Sequence, residues 1–134
     1  MDILPSLPGG PTYAFWLLRI ALGVVFFAHG SQKVFGWFGG HGLKATGDLF
    51  AAHLHIPRPL FYLSAFGELL GGVFVVAGIF PRLSALGLAV IMTVALLKVH
   101  RKAGFFLSTS PGTPNGYEYN LALIAMSLAV AVGV

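Results

Sequence analysis

Glu68 sits in an apolar run from about Leu60 to Phe80 and is the only charged side chain in it. That run is long enough to cross a bilayer, and a carboxylate left in hydrocarbon is costly. Such an acid faces the protein interior, finds a partner, or stays protonated. Ser64, Gly67, Glu68, Gly71, Val75 and Gly78 recur at helical spacing, which puts Glu68 on a face of small residues. Membrane helices approach one another on such faces. Glu68 is therefore expected to look into a helix bundle, and the question becomes what it meets there.

The candidates cluster at the ends of the other apolar segments. The first segment carries Arg19 near one end and His29, Gln32 and Lys33 near the other; the third ends with Lys98 and His100; the fourth opens with Tyr117, Glu118 and Asn120. In an antiparallel arrangement every one of these except Arg19 lies toward the same half of the membrane as Glu68. The pattern predicts a polar pocket with His29 and Glu68 placed to move protons. Lys33, Gln32, Glu118, Asn120, Lys98, His100 and Arg19 could bind a ligand, with Phe26, Trp37, Phe66 and Tyr117 as aromatic surface. The partner of Glu68 stays open among Arg19, Lys33, His29 and Lys98. Plainer readings stand beside these. Asn115 and Glu118 have the spacing of a helix cap with an acid in the first turn, which is structural. His29 and His100 could ligate a b-type haem across a bundle, but His100 lies at its helix end and two lone histidines make a thin motif.

Composition sets the frame. The chain has 134 residues, 57% hydrophobic and 9% charged, with mean hydropathy +0.86. A soluble domain carries charge on about a quarter of its residues. The chain reads as an all-α integral membrane protein. The absence of cysteine excludes disulfides, thiolate metal sites, iron–sulfur clusters and cysteine nucleophiles. No metal site, covalently held cofactor or nucleic-acid partner is expected. The N-terminus lacks the basic and apolar regions of a cleaved signal, so the first helix is expected to serve as the insertion signal.

The elements follow from apolar length and breakers. Spans are expected at about 13–35, 59–80, 83–101 and 117–134, forming one antiparallel four-helix domain over 1–134. Arg19, Gly23, Phe26, Gly30 and Lys33 share a face of the first span. Between the first two, Leu43 to His55 is too short and polar to span, and Leu43, Thr46, Leu49, Phe50 and Leu54 recur at helical spacing. That segment reads as an amphipathic helix at the interface. The glycine faces of the first two spans would permit a homodimer, or be used up within one bundle. Lys and Arg counts place the loops at 36–58 and 103–116 in the cytoplasm.

Laid out in this order, the chain resembles the DoxX family of small bacterial membrane proteins. The features that match are Leu18-Arg19-Ile20 with Gly23 and Phe27, His29-Gly30 and Lys33, Gly42-Leu43, Ile56-Pro57, Glu68 with Gly71-Gly72, Gly78 and Arg82, and Asn115-Gly116 with Glu118. The resemblance implies a multi-pass protein of the bacterial cytoplasmic (inner) membrane, associated with quinone and sulfur redox metabolism. The family is related to the small subunit of a thiosulfate:quinone oxidoreductase.

Two functions fit. In the first, the chain is a redox-associated membrane subunit, at most part of a quinone-linked oxidoreductase. It would bind a quinone or similar small aromatic molecule and take electrons from a partner subunit. In the second, it is a non-enzymatic scaffold, assembly factor, or small-molecule or proton-coupled carrier whose buried polar cluster holds the bundle together.

Overall fold

The computed structural model describes residues 10–108 and 115–132. Among the described residues five α-helices follow one another: α1 Gly10–Val34, α2 Gly42–His53, α3 Arg58–Ala77, α4 Pro81–Ala95 and α5 Glu118–Ala131. The path of α4 continues through a π-helical turn, Leu96–His100, and a 3-10 turn, Arg101–Ala103. Three stretches of the described residues have the length and apolarity to cross a membrane: Tyr13–Val34, Arg58–Ala77 and Pro81–Ala103. The fourth expected span is a shorter apolar helix of 14 residues. At about 1.5 Å per residue it reaches roughly 21 Å, short of a hydrocarbon core of about 30 Å.

Packing runs α1 on α3, α3 on α4 and α4 on α5, with a slighter contact closing α5 onto α1. Leu22, Phe26, Val75, Ala85, Leu88, Met92, Leu123 and Val130 form the core between them. Large apolar side chains such as Leu17, Leu63, Phe80 and Leu83 cover the outside. That surface suits a lipid solvent and would be an aggregation hazard in water.

The two small-residue faces meet as a close approach of α1 and α3. A Cβ added to Gly30 would lie 2.5 Å from the Leu69 nitrogen, and one added to Gly72 would lie 2.7 Å from the Phe27 nitrogen. Gly67 and Gly71 turn instead toward α4, where an added Cβ would meet Ile91 at 2.7 Å and Leu88 at 2.8 Å. These glycines of the first two spans make their close contacts with helices of the same bundle. At the far end, Gly78 adopts φ 78° and closes α3, with its N–H and that of Ile79 both donated to the Phe74 carbonyl at 2.9 Å. Three residues later α4 begins.

α2 lies against the start of α3. Its buried Gly47 sits beside the Phe61 ring, Phe50 packs on Phe61 at 5.0 Å between centroids, and Asp48 pairs with Arg58. The connection from α4 to α5 is a clasp of backbone bonds. Tyr117 donates to the Gly104 carbonyl at 2.9 Å, Glu118 to Phe105 at 2.7 Å and Gly116 to Phe106 at 3.0 Å. The expected Asn115 cap does not form. α5 begins at Glu118, and the Asn115 side chain accepts the Ser108 N–H at 2.9 Å. The clasp takes the donors that a cap would have served.

The α1–α3 approach is testable by filling it. Gly30→Val and Gly72→Val should each lower stability in detergent by about 2 kcal/mol, the cost of overpacking a tight contact. Gly87, with no atom within 4 Å of an added Cβ, should accept Ala with a change under about 0.5 kcal/mol. Thermal melts that rank the three alike would exclude the close approach.

Candidate functional site

The glycine contact sets the register of α1 against α3, and that register brings Lys33 to Glu68. Lys33 Nζ lies 2.8 Å from Glu68 Oε1. Glu68 is 1% exposed and Lys33 21%, so the acid is sealed in the bundle while its partner reaches toward the edge. The Lys33 ammonium also lies 5.7 Å from the centroid of the Phe50 ring, a cation–π distance. The second carboxylate oxygen, Oε2, is buried without a hydrogen-bond partner among the described residues.

This pair stands on the wall of a cavity of about 660 Å³ between α1, α3, α4 and α5. Most of the wall is aliphatic and aromatic: Phe50, Ile56, Leu60, Phe61, Val90, Ile91, Met92, Val94 and Leu123. The polar groups on it are few. His29 Nε2 is 3.2 Å from the Tyr119 hydroxyl. Asn120, buried, donates to Met92 Sδ at 3.6 Å. His100 Nδ1 lies 2.9 Å from the Asn115 carbonyl oxygen, and Lys98, exposed, flanks it on the π-helical turn. Turns of this kind recur at functional sites. An apolar cavity with a few convergent polar groups is the usual form of a small-molecule site.

Six of the expected residues therefore meet at one cavity: Glu68, His29, Lys33, Asn120, Lys98 and His100. The others lie elsewhere. Arg19 is 14 residues from Lys33 along α1, about 21 Å at helical rise. It is 6% exposed, donates from Nε to the Val75 carbonyl at 2.8 Å and from Nη2 to Val76 at 3.3 Å, and lies 4.1 Å from the Trp16 ring centroid. It satisfies carbonyls in the last turn of α3, where a cation also meets the negative end of the helix dipole. Gln32 donates to the Phe38 carbonyl at 3.1 Å, in the turn after α1. Glu118 Oε2 accepts the Leu107 N–H at 3.1 Å and serves the clasp. Tyr117 packs edge-on against Phe105, Trp37 is exposed against Phe35, and Phe26 is core. Phe66 is exposed on the outside of α3.

Tyr119 joins the cavity without having been among the expected residues. It lies between Glu118 and Asn120, and its polar tip was the only sequence signal for it. Ser64, one turn before Glu68, also lines the wall.

Fold and site together define a membrane protein, helical over its described residues, with an ion pair beside an apolar cavity between the helices. The chain belongs to the DoxX family, which residues 14–101 match. It is also similar to "Putative oxidoreductase CatD" of Bacillus subtilis (strain 168), at 30% identity over 114 residues, covering 85% of this chain and 75% of the relative. No solved structure matches it.

Removing one member of a buried pair strands the other, whereas removing both does not. Glu68→Leu and Lys33→Met should each cost about 2–3 kcal/mol, toward the lower side for such pairs because Lys33 is a fifth exposed. The double substitution should cost less than the sum of the two. Lys98→Met should stay within about 0.5 kcal/mol of the parent. Strict additivity in detergent unfolding would rule out the pairing of Lys33 with Glu68.

Proposed function

We propose that the chain is a redox-associated membrane subunit that binds a quinone or a similar small aromatic molecule in the cavity beside Lys33 and Glu68. The observation that carries this reading is the combination of a 660 Å³ apolar cavity with an ion pair and a His29–Tyr119 contact on its wall. A quinone ring needs flat apolar surface and polar groups for its oxygens. Phe50, Phe61 and the α4 aliphatics offer the first; Lys33, Tyr119 and Asn120 offer the second. Glu68 and His29 lie where they can exchange protons with a ring whose oxygens gain or lose them. The similarity to a protein described as an oxidoreductase supports a redox setting. Electrons would come from a partner subunit. In this reading the protein is a multi-pass, single-domain component of the bacterial inner membrane. α5 completes the crossing together with the clasp that precedes it, and α2 rests at the interface.

A scaffold reading has its own support: Arg19 and Glu118, both candidates for ligand binding, are spent on backbone groups. Under it the Lys33–Glu68 pair is likewise structural. Native mass spectrometry with lipid extraction of the detergent-purified chain separates the two. The ligand reading expects a co-purifying aromatic, or one that binds when added, with occupancy falling at least tenfold in Glu68→Gln. A chain that neither carries nor takes up a quinone, and whose Glu68→Gln form only melts earlier, leaves the scaffold reading standing.

A further inference from the structure

Each described acid other than Glu68 has one oxygen served from outside its own helix, Asp48 Oδ1 by Arg58 and Glu118 Oε2 by the Leu107 N–H, and neither side chain is buried. Glu68 is the most deeply buried of the three, yet only Oε1 is served, by Lys33. Oε2 is buried without a hydrogen-bond partner among the described residues. A carboxylate paired with an ammonium is an acceptor only, and a buried acceptor left unmade is costly. Of the neighbouring polar groups, His29 is engaged with Tyr119, Asn120 with Met92 and His100 with the Asn115 carbonyl, while Ser64, one turn before Glu68 on the same wall, makes no hydrogen bond to Oε2.

We infer that Oε2 of Glu68 receives a hydroxyl of the ligand, so that the cavity takes the dihydroxy, reduced form of an aromatic ring in preference to its carbonyl form. A hydroxyl facing the carboxylate makes a charge-assisted hydrogen bond. A quinone carbonyl in the same place sets lone pairs against lone pairs. The terminal torsion of a glutamate is broad, so the carboxylate can swing Oε2 to the cavity wall. Lys33 can follow on its flexible stem and keep Oε1. The donors a carbonyl could use instead are the Lys33 ammonium, held by Oε1 beside the Phe50 ring, and the Tyr119 and Asn120 groups, held by His29 and Met92. Sites built around a buried polar group reject a ligand lacking the matching group far more strongly than apolar pockets reject a change of size. The preference should therefore be about tenfold or more.

This inference rests on the proposed ligand reading, and one titration series distinguishes their failures. Calorimetry on the full chain in detergent, under anaerobic conditions, would compare a short-chain benzoquinone, its hydroquinone and the dimethyl ether of that hydroquinone. The hydroquinone should bind at least about tenfold tighter than either of the others, because the ether keeps the ring but loses the donor. In Glu68→Gln, whose amide both donates and accepts, the hydroquinone and quinone should come within about threefold of each other. A quinone or ether that binds as well as the hydroquinone overturns the inference and leaves the ligand reading intact. A preference that survives in Glu68→Gln overturns it as well, since another group must then supply the acceptor. No binding by any of the three overturns both readings. Should Glu68→Gln not fold, the ether comparison on the parent chain decides alone.

Discussion

The close approach of α1 and α3 is the constraint on which the rest depends. Between Gly23, Gly30 and Gly72 two apolar helices come near enough that no Cβ fits without displacing backbone. In a lipid solvent burial of apolar surface between helices gains little, because lipid tails are as apolar as leucine. Close van der Waals contact has to supply what the hydrophobic effect does not. The contact also fixes rotation and depth. With Gly30 against Leu69, Lys33 is one turn further along α1 and arrives at Glu68, while Arg19 is carried to the opposite end of α3. The ion pair is a consequence of glycine packing as much as of charge.

That register explains how so few charged residues serve two ends of one bundle. Arg19 closes the carbonyls that α3 leaves open in its last turn, beside the Gly78 C-cap. Lys33 meets the acid in the middle of the same helix. The bundle thus has a polar anchor at one end and, toward the other, an apolar cavity with polar groups on its wall. Between them lies the apolar core of Leu22, Phe26, Val75 and Leu88. The clasp that joins Gly104–Leu107 to Gly116–Glu118 holds α5 at its start. It thereby positions Tyr119 and Asn120 on the cavity wall, one by His29 and the other by Met92.

The polar groups divide into those spent on the backbone and those facing the cavity. Arg19, Gln32 and Glu118 satisfy carbonyls or amides that would otherwise be orphaned in an apolar medium. Lys33, Glu68, His29 and Tyr119 are bonded to one another's side chains, in pairs, and leave Glu68 Oε2 in want of a donor. The distinction is energetic. A side chain holding a backbone group cannot be released to a ligand without exposing that group, whereas a side-chain pair at a cavity wall can be shared.

The sequence by itself determined the solvent class, the helical periods and the inward aim of Glu68, because those follow from apolar length, residue spacing and the cost of a charge in hydrocarbon. It also determined that the polar residues gather toward one half, since antiparallel order alone puts the ends of the first and third segments beside the start of the fourth. Four candidates for the Glu68 partner stayed open because spacing along one helix says nothing of its depth against another. Only the tertiary structure decided for Lys33, through the stagger set by Gly30 and Gly72. Glu118 left the predicted pocket and Tyr119 entered it for a related reason. α5 is apolar nearly all round, so no amphipathic stripe sets its rotation; the clasp bonds do, and they are contacts between segments. What a residue's neighbours along the chain can specify was legible. What depends on the rotation and stagger of one helix against another was settled only when the helices packed.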